Sequence, residues 1–175
     1  MTNQDFIIRS ARKSDLPELS RLATDTFIAS FGHVLTKLQL KKLIKQTRSI
    51  EYFEKVFDDD EILIAVTEQK IVGYIQFGTI RSPYKNATRD GRELARLYVN
   101  SAYHRRGVGK TLLKKALDHP VLHDAEDVYL DIWKSNFIAK NLYQKHGFKV
   151  IDEVEWKING KYLLTYQVMK RTRQI

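Results

Sequence analysis

Residues 104–111 read HRRGVGKT, His104-Arg105-Arg106-Gly107-Val108-Gly109-Lys110-Thr111, and lie between a strand-like run and a helix-like one. Two glycines let the backbone approach a ligand closely, and Arg105, Arg106 and Lys110 add positive charge where a helix N-terminus already favours an anion. The ending Gly-Lys-Thr does not make this a nucleoside-triphosphate loop. That motif needs a glycine five positions before Gly109, where this chain has His104. A dinucleotide fingerprint fails too, because its third glycine falls at Leu112. The residues leave two readings open: a cradle for a diphosphate, or a glycine-containing turn with ordinary exposed cations.

Working outward, Arg92 to Val99 alternates, with Leu94 against Glu93, and continues as Leu97-Tyr98-Val99, which predicts a strand running into the loop. After the loop, Leu112, Leu113, Ala116 and Leu117 share one face while Lys110, Lys114 and Lys115 fall elsewhere, which predicts a helix closed by Pro120. Toward the N-terminus, Phe6 to Arg9 reads as a strand. Ser14 or Asp15 then caps a helix carrying Leu16, Leu19, Leu22, Ala23 and Phe27. Leu38 to Phe57 reads as one or two helices, ended by Asp58-Asp59-Asp60-Glu61. Glu61 to Thr67 and Ile71 to Ile80 form a hairpin of strands about a short polar turn, and Arg81 to Gly91 is a loop. Toward the C-terminus come a strand over Val128 to Trp133, a helix over Asn136 to His146 stopped by Gly147, and a strand pair, Phe148 to Trp156 and Tyr162 to Met169. Asn159-Gly160 is the turn signal between the last two. No repeat or linker interrupts this order, so residues 1–175 are expected to form a single domain.

Composition narrows the function. The 175 residues are 43% hydrophobic, enough for a core, and lack any apolar run of membrane-spanning length or a leader-like N-terminus. A cytoplasmic protein without membrane partners is expected. Absence of cysteine excludes disulfides, thiolate metal ligands and a Cys nucleophile. Thirty Lys and Arg against 21 Asp and Glu give a net charge of +9, which attracts polyanions but does not choose among them. The basic run over residues 37–46 carries an apolar stripe, Leu40, Leu43 and Ile44, and reads as a solvated helix face. The tail over residues 170–175 reads as a frayed terminus.

Beyond the loop, Asn136, Ala139, Tyr143, Gly147 and Phe148 stand in the pattern N-x-x-A-x-x-x-Y-x-x-x-G-F. Together with Leu97-Tyr98-Val99 leading into R-R-G-V-G, and with I-R-x-A-x-x-x-D-L-x-x-L from Ile8 to Leu19, the chain resembles the GNAT superfamily of acetyl-CoA-dependent N-acetyltransferases. Within it the chain looks most like bacterial polyamine acetyltransferases, through Thr26-Phe27, Phe31 and the I-W-K-x-N approach to Asn136. The resemblance implies an α/β fold of GNAT type: a mixed, mostly antiparallel central sheet of about seven strands flanked by helices. It implies that Leu97, Tyr98 and Val99 pair with the pantetheine arm of acetyl-CoA as an added strand would. Arg105, Arg106, Gly107, Val108, Gly109 and Lys110 would take the pyrophosphate. His104 departs from the Gln or Arg usual at the first loop position. Asn136 would hydrogen-bond the pantetheine, Lys145 would reach the phosphate end, and Tyr143 would be the general acid that protonates the CoA sulfur.

An amine attacks a thioester only when unprotonated, and a lysine-like amine has a reference pKa of about 10.4, so a base is needed as well. The family's usual carboxylate position aligns with Ala95. Glu93, two residues earlier on the same strand face, either acts through a water chain or is an exposed strand carboxylate. Without a cysteine, direct transfer in a ternary complex is expected, with no metal. The acceptor implied is a primary amine. Spermidine or spermine come first on the resemblance, Asp58 to Glu61 and Asp25 are the available acidic groups, and Phe27, Phe31 and Tyr74 either line an acceptor tunnel or belong to the core. Three alternatives stay open: a peptide or protein amine as acceptor, a basic nucleic-acid-binding module without catalysis, and a fold that binds CoA as a sensor. Nucleic acid is not the expected partner, because cations and aromatics do not interleave in one segment. A homodimer through the last two strands is suggested by analogy alone.

Overall fold

A computed structural model of the chain describes residues 5–158 and 161–173, with backbone alone at 158, 161 and 162. Its elements follow the predicted order. β1 (Ile7–Ser10) leads to α1 (Leu16–Phe31), α2 (Lys37–Thr47) and α3 (Ile50–Val56). β2 (Asp60–Val66), β3 (Ile71–Gly78), β4 (Arg92–Val99) and α4 (Val108–Leu117) follow. Then come α5 (Pro120–His123), β5 (Asp127–Trp133), α6 (Phe137–Lys145), β6 (Lys149–Ile158) and β7 (Lys161–Thr172). The strands form one seven-stranded sheet in the order β1-β2-β3-β4-β5-β7-β6, with helices flanking it.

The sheet is mostly antiparallel. β1 runs against β2 from Ile7↔Val66 to Ser10↔Leu63, and β7 runs against both β5 and β6. β2 and β3 are joined by a turn closed by Thr67 N–H to Lys70 C=O at 3.0 Å, too short for anything but a hairpin. β3 and β4 also run in opposite directions: Asn100 N–H meets Val72 C=O at 2.9 Å, while Arg96 at the other end reaches Gln76. β4 and β5 are parallel, through Arg92↔Val128 and Glu93↔Tyr129.

The chain packs as two compact units, each with its own interior. The first is residues 1–77 with 96–117, the second residues 78–95 with 118–175. In the first, the 3.6-residue stripe of α1 (Leu16, Leu19, Leu22, Ala23) packs with Phe53 and Val56 of α3, Ile62 and Ile64 of β2, and Ile71 and Tyr74 of β3. Asp15 ties down the start of α1, accepting both Arg9 guanidinium nitrogens (2.7 and 2.8 Å) and the Arg12 amide (2.7 Å). In the second unit, Val128, Leu130 and Ile132 of β5, Phe148, and Leu164, Val168 and Met169 of β7 are buried.

Three local expectations are corrected. Pro120 does not merely close a helix: it is the first residue of α5, where its missing N–H costs nothing. The basic tail is not frayed through Thr172, because β7 continues to that residue. There Lys170 and Thr172 donate to the buried carboxylate of Asp127 at 3.3 and 2.6 Å. Asp60 does not belong to an acidic run that ends the helices; of that run only Asp58 and Asp59 lie between α3 and β2. Asp60 begins β2, one residue before the expected start at Glu61, and is buried against Gln76. The turn Asn159-Gly160 lies outside the described residues.

Candidate functional site

In the first unit, β4 delivers the chain to residues 100–107 and then into α4, as the alternating and 3.6-residue patterns require. Gly107 has φ +83°, and a Cβ built there would meet no atom within 4 Å, so the loop is open above that peptide. Arg105 is also left-handed, at φ +60°. The first backbone bond of α4 is Thr111 N–H to Gly107 C=O at 2.9 Å, which leaves the amides of Val108, Gly109 and Lys110 in the set a helix cannot satisfy internally. Val108 is buried with Leu112, Leu113, Ala116 and Leu117, and this stripe anchors the helix. Arg105, Arg106 and Lys110 are exposed, and the Arg106 guanidinium lies 5.1 Å from the Tyr103 ring centroid. Open backbone, orphan amides and three solvent-facing cations suit a diphosphate.

His104 has a structural role. Its Nε2 lies 2.9 Å from the Val99 carbonyl, so that nitrogen carries the proton and donates, tying the loop back to the end of β4. Peptide groups of successive strand residues point to opposite edges. Because Asn100 N–H points to β3, the peptide groups of Leu97 and Val99 point away from it. Val99 C=O is taken by His104, and Leu97 to Val99 come after the last parallel pair of β4, Glu93↔Tyr129. These are the backbone groups an extended ligand arm could pair with.

In the second unit, Asn136 is the N-cap of α6: its Oδ1 accepts from Ala139 N–H at 3.1 Å, which leaves its exposed amide nitrogen as the donor. The N-x-x-A spacing is therefore a capping signal as well as a family pattern. Tyr143 is buried on α6 and packs edge-on against Phe148 with centroids 5.6 Å apart. Gly147 at φ +87° ends the helix, where His146 and Phe148 amides both bond Tyr143 C=O (2.9 and 3.1 Å). Lys145 is exposed in the last turn.

Glu93 is also in this unit, and it is not an exposed carboxylate: it is 4% accessible. It accepts from the amides of Arg81 (2.7 Å) and Ser82 (3.3 Å), from the Ser82 hydroxyl (2.5 Å) and from the Tyr84 hydroxyl (2.9 Å). Burial pushes the Tyr84 phenol far above its ordinary range, with Asp131 and Glu93 adding to the effect, so it stays a donor. Sequence alternation could not reveal these donors, since they come from a loop without periodicity.

Sequence reading also missed a polar cluster in the first unit. Arg96 Nη1 donates to Gln76 Oε1 at 2.6 Å and to the Tyr52 hydroxyl, and Gln76 Nε2 donates to Asp60 at 2.6 Å. The available signal was an arginine on the strand face shared by Leu94 and Tyr98. Phe27, Phe31 and Tyr74 are all buried, and the Arg48 guanidinium covers the Phe27 ring at 3.6 Å. Asp25, Asp58 and Asp59 are exposed. Among the described residues, no cluster of His, Asp or Glu could hold a metal ion, and no helix is long and apolar enough to cross a membrane.

The chain is similar to known proteins over most of its length. A family model described as the acetyltransferase (GNAT) family matches residues 18–148. A spermine/spermidine N(1)-acetyltransferase of Bacillus subtilis is 29% identical over 103 residues, 58% of this chain and 66% of that one. An N-alpha-acetyltransferase of Saccharolobus solfataricus is 26% identical over 155 residues, 85% and 83% of the two chains. The crystal structure of PaiA N-acetyltransferase from Thermoplasma acidophilum, in complex with coenzyme A, superimposes with a TM-score of 0.73 at 21% identity, over 95% of this chain and 98% of that one.

Proposed function

The chain belongs to the acetyltransferase (GNAT) family, and from that premise we propose that it moves an acetyl group from acetyl-CoA to a primary amine by direct attack in a ternary complex. It is an acetyl-CoA-dependent N-acetyltransferase. The observation that carries the cofactor assignment is the loop after β4: an open left-handed Gly107, three orphan amides and three exposed cations in one turn, which fit a diphosphate. Acetyl-CoA supplies the activated acyl group and a thiolate leaving group.

The chain's own residues divide the remaining work. Arg105, Arg106, Gly107, Val108, Gly109 and Lys110 hold the pyrophosphate, and the segment Leu97-Tyr98-Val99 aligns the pantetheine arm through the outward peptide groups of Leu97 and Val99. The free amide nitrogen of Asn136 donates to that arm, and Lys145 meets the phosphate end. Tyr143 gives its phenolic proton to the departing sulfur. Glu93 takes the amine's proton through water. The hydroxyls of Ser82 and Tyr84 already donate to it, and each can accept a proton from water while passing its own on. Absence of cysteine supports direct transfer, since no thiol can carry the acetyl group between half-reactions.

The names of the two sequence relatives point to different acceptors, a polyamine in one and an N-α-amine in the other. Incubation with acetyl-CoA and a panel of spermidine, spermine, amino acids and short peptides, reading free CoA thiol, tests the reaction. Amine-dependent thiol release supports it, and none with any amine sinks it.

A further inference from the structure

Among the described residues of the first unit, two largely buried guanidinium groups, those of Arg48 and Arg96, have no carboxylate within ion-pair distance. Arg48, just after α2, is 7% accessible: its Nη1 donates to the Thr47 hydroxyl, its plane lies over Phe27, and its Nε is buried without a hydrogen-bond partner. Arg96, on β4, uses Nη1 on Tyr52 and Gln76, and its guanidinium carbon lies 4.7 Å from the Tyr52 ring centroid. Tyr74 is fully buried, stacks on Tyr98 at 6.0 Å, and has a hydroxyl without a partner. Phe53 packs edge-on against both Tyr74 and Tyr52, the partner of Arg96, at 6.1 and 5.3 Å, and burial pushes the Tyr74 phenol above its ordinary value while the charges of Arg96 and Arg48 pull it down. Among the described residues neither arginine has a carboxylate within ion-pair distance. The buried Asp60 is turned to Gln76.

A buried, unsatisfied guanidinium is costly unless an anion meets it, and its planar fork matches a carboxylate. The aromatic faces of Phe27 and Tyr52, which could otherwise attract an ammonium group, are already covered by these arginines. A polycation entering here would meet two like charges, whereas an amine that also carries a carboxylate would bring the missing partner. We propose that Arg48, Arg96 and the Tyr74 hydroxyl form a subsite for a carboxylate on the acceptor, so that the enzyme acetylates an amino acid and not a polyamine. This rests on the acetyl-transfer reading above, and it uses residues to which no role in that reaction has been given.

The test compares matched acceptors. At saturating acetyl-CoA, kcat/KM is measured for a set of amino acids, for their carboxamides and for spermidine, in the wild type and in Arg48→Gln and Arg96→Gln. The expected result is at least a tenfold preference for the free acids over the carboxamides. Either substitution should remove most of that preference, with the KM for acetyl-CoA unchanged. Equal rates for acids and carboxamides, or a preference for spermidine, overturn the subsite while leaving acetyl transfer intact. So does an equal loss on acids and carboxamides in both variants, which would mark the arginines as structural only. Should a variant fail to fold, shown by its thermal midpoint, the wild-type ratio decides alone. No thiol release with any acceptor fails the acetyl-transfer reading, and this proposal with it.

Discussion

Replacing Gly107 by alanine separates backbone strain from ligand binding. At φ +83° a Cβ costs about 1–2 kcal/mol in the folded state, and the stiffer unfolded chain offsets about 0.4–1 of that. No atom lies within 4 Å of the new methyl, so there is no steric addition, and the net loss should be about 1 kcal/mol. In a domain of this size that lowers Tm by about 2–4 °C. Binding should suffer more, because the methyl occupies the open side of the peptide assigned to the pyrophosphate. Loss of one charge-assisted hydrogen bond, worth about 1.5–3 kcal/mol, raises the KM for acetyl-CoA roughly tenfold to a hundredfold. Gly147→Ala is the control, with nearly the same angle at φ +87° and only ordinary contacts with Arg171. Thermal melts and acetyl-CoA titrations of both variants give the answer. Similar melting losses with a raised KM only in Gly107→Ala support the loop assignment. An unchanged KM in Gly107→Ala would refute it.

Other substitutions address the chemistry and the fold. Tyr143→Phe keeps the ring against Phe148 and removes the proton: kcat should fall about a hundredfold, with the KM for acetyl-CoA within about twofold of wild type, and an unchanged kcat removes Tyr143 from the mechanism. Glu93→Gln turns an amide toward four donors, so it should lower stability by about 1–3 kcal/mol in denaturant titrations and shift the acidic limb of kcat/KM. A stability loss with an unshifted limb would leave Glu93 only as the anchor of its loop. Burial alone would raise the Asp127 carboxyl, but hydrogen bonds from Thr172, Lys170 and Tyr129 hold it below the ordinary 3.8. Its stabilisation is complete above that value and lost as pH falls through the lower folded one. Melting points followed from about pH 5 to about pH 2 should therefore drop less steeply in Asp127→Asn than in wild type.

Periodicity made the order of strands and helices legible, because a half-covered element writes its buried face into the chain, as α1 and α4 do, while the wholly buried β3 shows instead as an apolar run between turn signals. The loop after β4 was legible because glycines and cations concentrate there. What escaped depends on residues far apart in sequence. Glu93 read as one of two alternatives on an alternating strand, yet its donors come from Arg81, Ser82 and Tyr84. Arg48 falls inside the run Leu38 to Phe57 that reads as one or two helices, and only the folded chain ends α2 there and brings its guanidinium over Phe27. His104 read as a departure from a pattern, whereas its bond to Val99 C=O is a second way of fastening the same loop. The basic tail read as frayed because Asp127, its counter-charge, lies some 40 residues earlier.

The central claim is direct acetyl transfer from acetyl-CoA to an amine, and two-substrate initial-rate kinetics test it most directly. With the best acceptor of the panel varied at several fixed acetyl-CoA concentrations, double-reciprocal plots should intersect, as a ternary complex requires. Parallel lines would demand an acetylated enzyme that this cysteine-free chain has no thiol to form, and together with thiol release independent of any amine they would contradict the account.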